Sequence, residues 1–401
     1  VQNYKKLSDF LGSEECKTFV NSLLHENPAQ IALQYRDKIP CDASVLAYII
    51  KLYQKAKSKL PAWVDNYCIL TTKSYAQSTS QVVALYKSTF IKGKKLLVLG
   101  GGLGVDEWAL ARTFSQIISI DNDADLNKCV AYNNKLLGIN NVQRHTQTAE
   151  EFLQQLDDAE KFDCVYTDPD RRDERGVRKK TLEYSTPDIL ALYTKIMSHT
   201  ERLIIKASPL IDINKTTNEI KGILEIRVIA LKNEVKEVLF DIKSGFEGEP
   251  TIVAANYTDD FGWQEVSEAA NRSIPDESHL DAVFFYEANA AIIKAGISHQ
   301  YAAGLGLGLI DKNTFYYISD KWVKGFMGRS FKVKKTLSFS KKTVKTYLKA
   351  QNISQANIAK RNFRLGVDEL RKLFSIKDGG EDYLFFTQKM GKPLFFQCIK
   401  V

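Results

Sequence analysis

Apolar positions recur at helical spacing through the first 92 residues. In SEECKTFVNSLLHE, Cys16, Phe19, Val20, Leu23 and Leu24 fall on one helical face. Asp42 precedes a second such run, ASVLAYIIKLYQKAKSKL, which Pro61 ends. QSTSQVVALYKSTF carries a third to Gly93. Residues 1–92 are therefore expected as a helical N-terminal region.

From residue 93 the pattern changes. KKLLVLG (94–100), QIISID (116–121), FDCVYTD (162–168) and RLIIKAS (202–208) are short apolar runs of the kind a buried parallel strand needs, and NVQRHTQ (141–147) is a weaker one. VDEWALARTF, ADLNKCVAYNNKLLG, AEEFLQQL and residues 186–199 read as the helices between them. This alternation predicts an α/β fold with a parallel sheet covered on both faces. Two β-rich runs in EIRVIALKNEVKEVLFDI, joined at Lys232-Asn233, predict a hairpin, and TIVAANY (251–257) one more strand. The sheet domain is expected over 93–258. DDFGWQEVSEAANRSIPDESHL reads as a linker. Residues 279–324 then suggest a small α+β unit, and 326–401 a last α+β unit ending in a strand pair around Met390-Gly391-Lys392.

Composition narrows the class. The 401 residues are 44% hydrophobic and 26% charged, ordinary for a soluble protein. No stretch approaches the roughly 18 to 20 uncharged apolar residues of a membrane span. The opening VQNYKKLSDFLGSEE lacks the apolar core of a signal peptide. The six cysteines are scattered without a CxxC pair, and the five histidines form no HxH or HExxH cluster. Reduced thiols in a cytoplasmic protein without a metal are the expectation. The net charge is +8, yet residues 326–401 alone hold 17 Lys/Arg against 5 Asp/Glu. The rest of the chain is net acidic. Such asymmetry points to a polyanionic partner, most simply nucleic acid, or to a lysine-rich solvated face.

Two runs carry candidate chemistry. Gly100, Gly101, Gly102 and Gly104 lie between a strand and a helix, where glycines let the backbone approach a ligand closely. Asp121 ends the next strand, about twenty residues on, where an acid can grip ribose hydroxyls. A helix N-cap is the structural alternative for Asp121. The spacing G-G-G-x-G lacks the two residues between the last glycines of the dinucleotide fingerprint. The second run, TDPDRRD (167–173), ends the fourth strand, and reactions in open α/β sheets occur at the carboxyl ends of the strands. Taken alone, Asp-Pro followed by charges is also an ordinary exposed turn.

The glycine turn, Asp121, the Asp-Pro after strand four and the closing hairpin together resemble class I methyltransferases that use S-adenosylmethionine (SAM). The resemblance implies SAM as cofactor. Gly100, Gly101, Gly102 and Gly104 would lie under its methionine part, Asp121 at the ribose, and Ala149 and Glu150 near the adenine. The family's acid at the end of strand one is here Val98; Asp106 or Asp168 could take its place. Asp168-Pro169 is similar to the (Asn/Asp)-Pro-Pro-aromatic motif of methyltransferases acting on nucleobase amines. There a carboxylate and the Pro carbonyl accept the amine's N–H bonds and aim its lone pair at the methyl group. Asp168, Pro169 and Asp170 are thus the candidate catalytic run. Arg171 stands where the motif has its aromatic residue; Arg171 and Arg172 offer two forks for an RNA backbone.

Over nearly the whole chain, SYAQSTS, GGGLGVDEWALAR, TDPDRRD, YEANAAIIKAG and FKVKK…AKRNFRLGVDELRKLF…DGGEDYLFF are similar to a bacterial group of methyltransferase-like proteins with a C-terminal THUMP-like domain. That resemblance implies a helical N-terminal region and a Rossmann-like seven-stranded sheet, then ferredoxin-like and THUMP-like units. It also implies RNA, tRNA or rRNA, as the partner. Lys332, Lys334, Lys335 and Arg361 are the candidate RNA contacts. Phe331, Phe339, Tyr347 and Phe363, at these spacings, read as core. Two other functions remain open: a methyltransferase acting on a small molecule or protein, and a non-catalytic RNA-binding or assembly protein.

Overall fold

The computed structural model describes residues 4–36, 38–39, 41–170, 181–183, 185–268, 275 and 280–401. They fall into two compact units, one of residues 1–224 with 239–247 and one of 225–238 with 248–401.

The first unit opens on helices α1 (Tyr4–Gly12), α2 (Glu14–Leu23), α3 (Pro28–Gln34), α4 (Ala43–Ala56), α5 (Pro61–Asp65), α6 (Thr72–Gln77) and α7 (Gln81–Ser88). Their starts are written in the chain. Ser13, Asn27 and Asp42 each accept a backbone N–H at an N-cap, and Pro28 and Pro61 occupy first turns. The alternation follows: β1 (Lys95–Leu99), α8 (Val105–Leu110), β2 (Gln116–Ile120), α9 (Ala124–Leu136), β3 (Val142–His145), α10 (Ala149–Gln155), β4 (Cys164–Thr167), α11 (Ile189–His199), β5 (Arg202–Ala207) and α12 (Ile213–Glu219). β1 to β5 pair in parallel in the order β3-β2-β1-β4-β5. Next to β5 come the ends of β7 (Glu234–Lys243) and β6 (Ile223–Leu231) that belong to this unit, giving the order β3-β2-β1-β4-β5-β7-β6.

The N-terminal helices share a core with the sheet's own helices. Trp63 of α5 meets Trp108 of α8 edge to face at 5.2 Å. Asn133 of α9 accepts from the Ile69 N–H at 2.7 Å and donates to the Ile69 carbonyl at 2.9 Å, so a buried amide joins the two regions. A polar group buried this way must be paired, and here both of its functions are.

In the second unit, the outer parts of β6 and β7 turn at Lys232 and Asn233, both with positive φ, as a two-residue hairpin requires. β6 pairs in parallel with β8 (Thr251–Thr258), and β8 pairs antiparallel with β9 (Gly262–Glu268). The stretch expected as a linker therefore begins with a strand. β9 is half-exposed and lacks an apolar run, so nothing in its pattern marked it.

The rest of this unit contains β10 (Phe284–Ala288), α13 (Ala290–Ala295), α14 (Ser298–Gly304), β11 (Gly308–Leu309), β12 (Tyr316–Ser319), β13 (Gly328–Ser338), α15 (Lys341–Ala350), β14 (Asn357–Lys360), α16 (Val367–Phe374), β15 (Asp382–Lys389) and β16 (Lys392–Lys400). The strands form one sheet, β11-β12-β10-β13-β16-β15-β14. Phe285, Tyr316, Phe331, Phe385 and Phe396 pack on one side of it. Phe339, Phe363 and Tyr347 pack with α15 and α16 in a second cluster, so the aromatics among the lysines are core, as their spacing implied.

Candidate active site

The glycine turn closes β1. Gly100, Gly102 and Gly104 have φ of 84°, 54° and 78°, a region L-residues enter at a cost. Gly101 is required for another reason: a Cβ there would lie 2.2 Å from Glu107 Oε1 and 2.6 Å from Arg144 Nη2. Beneath the turn, Glu107 is buried with Arg144, whose Nη1 is 3.5 Å from Glu107 Oε2, and Ser119 donates to Oε1. Burial pushes the Glu107 carboxyl above its ordinary value, and Arg144 and Ser119 only partly oppose that. Arg144 also donates to the Gly102 carbonyl at 3.0 Å.

Asp121 holds the turn from β2. Its Oδ2 accepts the Gly102 N–H at 2.8 Å, and its Oδ1 accepts that of Asp123 at 3.0 Å. The N-cap of α9 is Asp123, not Asp121, since Asp123 accepts the Leu126 N–H. Each Asp121 oxygen has a second lone-pair site. After β3, Thr148 caps α10 through a capping box with Glu151, which places Ala149 in the core and Glu150 in the first turn. The Asp188 N–H reaches Glu150 Oε1 at 3.4 Å.

β4 brings the Asp-Pro run to the same edge. The Asp168 N–H bonds the Leu99 carbonyl at 3.4 Å, and Thr167 Oγ1 donates to that carbonyl at 3.1 Å. A Cβ on Gly100 would lie 3.3 Å from the Asp168 carbonyl oxygen. The turn and the run are thus neighbours. Pro169 is buried and Asp170 exposed; Asp170 and Thr186 exchange both backbone bonds, at 2.9 and 2.8 Å. Arg171 and Arg172 lie outside the described residues.

A charge cluster adjoins this edge. Asp106, in the first turn of α8, is 2.7 Å from Lys87 Nζ and 3.3 Å from Lys206 Nζ, and it accepts from Tyr166 OH at 2.9 Å and Thr79 Oγ1 at 3.1 Å. Burial would raise the Asp106 carboxyl, but the ammonium groups of Lys87 and Lys206 prevail and hold it well below the usual carboxylate range. Lys206, at the end of β5, also sits 2.5 Å from Asp168 Oδ2 and 2.9 Å from Thr79 Oγ1. Thr79, Lys87, Tyr166 and Lys206 went unnoticed in the sequence. One signal was present: RLIIKAS puts a lysine inside a strand buried on both faces, where a charge must be paired.

The candidate RNA residues divide. Lys332, Lys334 and Lys335 are exposed on β13, where a bulge between Val333 and Lys335 breaks the alternation. Arg361 is part-buried instead. It pairs with Glu287 at 3.4 Å and lies over the Tyr316 ring, and Arg329 Nε shares Glu287 at 2.7 Å. Among the described residues, no group of three or more His, Cys, Asp or Glu stands where it could hold a metal. No described helix is long and apolar enough to cross a membrane.

The strand order of the first unit, with a glycine turn after β1 and an acid after β2, is that of the class I methyltransferase fold. Residues 84–209 match the family described as Conserved hypothetical protein 95, and residues 328–400 the family described as THUMP domain-like. The whole chain resembles a candidate methyltransferase from Porphyromonas gingivalis W83, known from a crystal structure, at 28% identity with a TM-score of 0.83, over 100% of both chains. Slighter likenesses, at TM-scores of 0.30, include an rRNA methylase from Streptococcus thermophilus (14% identity, 40% of this chain and 92% of that one). A Streptococcus mutans protein solved with S-adenosylhomocysteine (SAH) is another (13%, 40% and 96%). No curated protein matches the chain. The two family matches and the full-length likeness to the Porphyromonas gingivalis protein show a Rossmann-like SAM methyltransferase fold with a THUMP-like domain at its C-terminal side, and they support methyltransferase function.

Proposed function

We propose that the protein is a SAM-dependent methyltransferase that modifies a nucleobase of tRNA or rRNA, at an amino nitrogen. The observation carrying this reading is the contact between the glycine turn and the Asp-Pro run, 3.3 Å from the Gly100 Cβ position to the Asp168 carbonyl. It would set an acceptor held by Asp168 beside a ligand lying on the turn.

The residues present fit SAM. A Cβ at Gly102 would meet nothing within 4 Å, so the turn leaves open space above it. Asp121 keeps acceptor capacity for ribose hydroxyls, and Ala149 and Glu150 follow β3, where the adenine is expected. When bound, SAM would supply an electrophilic sulfonium methyl, with SAH as its leaving group. The chain's part is orientation. The Asp168 carboxylate and Pro169 carbonyl would accept the amine's N–H bonds and aim its lone pair. Asp170 ties the end of the Asp-Pro run to Thr186 through their backbone bridge. The exposed Lys332, Lys334 and Lys335 would neutralise RNA phosphates, in keeping with the THUMP-like match.

Nucleoside mass spectrometry of total RNA tests this reading. A strain lacking the protein should lack one methylated nucleoside, restored by the wild-type gene and not by Asp168→Ala. An unchanged nucleoside profile would remove the RNA assignment. A second reading has its own observation: Val98, near the end of β1, carries no charge, and Lys206 occupies Asp168 Oδ2 at 2.5 Å. That favours a non-catalytic RNA-binding or assembly protein. Failure of SAM to bind below millimolar concentration, with RNA binding retained, would decide for it.

A further inference from the structure

We propose that Lys206, held in place by the Thr79 hydroxyl oxygen, seats the α-carboxylate of the cofactor's amino-acid end; this rests on the SAM reading above. Lys206 is a mostly buried cation in β5 whose ammonium lies 2.5 Å from an Asp168 oxygen, 2.9 Å from Thr79 Oγ1 and 3.3 Å from an Asp106 oxygen. Asp106 does not depend on it. Lys87 lies closer, at 2.7 Å, and Tyr166 and Thr79 donate as well. Asp168 is the more exposed partner, with 38% of its side chain open against 10% for Lys206. The ion pair between them is the more exposed at its Asp168 side, so a second carboxylate can reach the same ammonium there and form a charge-assisted hydrogen bond as Asp168 turns away.

Two further observations point to a ligand here. Ser80 Oγ, next in the chain to Thr79, is buried and makes no hydrogen bond. A buried hydroxyl left this way costs stability unless a partner arrives. The Gly100–Asp168 contact also places the glycine turn beside the Lys206 pair. Val98, near the end of β1, supplies no charge, so the polar cluster on this edge is the one that can recognise a zwitterion. Lys206 is its cation on the Asp168 side; Thr79 Oγ1 accepts from Lys206 at 2.9 Å, and Ser80 follows Thr79 in the chain.

The test compares two ligands that share adenine, ribose and thioether but differ at the amino-acid end: SAH and 5′-methylthioadenosine, which lacks it. Isothermal titration is run on the full chain. Lys206→Met should weaken SAH at least about tenfold, or about 1.4 kcal/mol, while methylthioadenosine changes less than about twofold. Lys206→Arg should restore most of the SAH affinity. Thr79→Val, which removes one hydroxyl and no charge, should show the same ligand dependence more weakly, and it serves if Lys206→Met does not fold. Equal loss for both ligands would assign Lys206 a purely structural part and overturn the proposal; so would SAH binding unaffected by either variant. If the wild-type protein binds neither ligand, the SAM reading itself fails.

Discussion

Lys87 is 1% exposed, and its ammonium is 2.7 Å from an Asp106 oxygen. A lysine desolvated to that degree is tolerable because it is paired. Lys87→Met should cost roughly 3 to 5 kcal/mol in urea unfolding, the range for breaking a buried pair. Adding Asp106→Asn should recover part of the loss. The same pair sets an acid dependence. The Asp106 carboxyl is depressed in the fold, so its contribution is fully present above its unfolded value, about 4. It is lost as pH falls through the depressed folded value. Unfolding followed between about pH 5 and pH 2 should therefore show a shallower stability loss in Lys87→Met than in wild type. An equal slope would remove Lys87 as the source. Asp121→Ala isolates a different contact. It deletes the acceptor of the Gly102 N–H and the expected ribose acceptor together. SAH affinity should drop at least about tenfold, and methylthioadenosine should suffer alike, because the ribose is common to both. That pattern is opposite to the one expected at Lys206.

The elements differ in how legible they were. β1, β2, β4 and β5 are buried on both faces, so each stood out as an apolar run. The Lys232-Asn233 turn was readable from its position between two β-rich runs. β9 was not, because a half-exposed strand has no run to show. The candidate site was legible where its residues are local in the chain: glycines at a strand end, an acid two elements on, an Asp-Pro. Its charge cluster was not, because Thr79 and Lys87, Asp106, Tyr166 and Lys206 come from four stretches that meet only in the fold. The expected division between helical region and sheet domain also hides a shared core. Trp63 is fully buried, with Trp108 against it at 5.2 Å. Trp63→Ala should cost about 3 to 5 kcal/mol, the cost of emptying a large aromatic site. Because that core includes α8 as well as α4 and α5, the loss should appear as one shifted transition by far-UV circular dichroism, rather than as early melting of the N-terminal helices alone.

At the scale of the whole chain, the basic excess of residues 326–401 is the feature on which the proposed RNA binding rests. Removing that segment would be a poor test. β10 pairs with β13 along its length, and Phe285 of β10 packs on Phe385 at 4.4 Å, so a truncation would strip the remaining strands of their core. Charge reversal on the intact chain avoids this. Lys332, Lys334 and Lys335 are exposed, and no shared core depends on them. Lys332→Glu, Lys334→Glu and Lys335→Glu together should leave the melting transition in place while weakening binding to tRNA or rRNA. If each lysine neutralises one phosphate, the slope of log affinity against log salt should fall by about 2 to 3. SAH affinity should not change, because the glycine turn, Asp121 and Asp168 belong to the other unit. Arg361 makes the matched control. Its guanidinium is already committed to Glu287, so Arg361→Gln should lower stability more than it lowers the salt slope. A triple variant that keeps wild-type RNA affinity and slope would move the RNA contact away from β13.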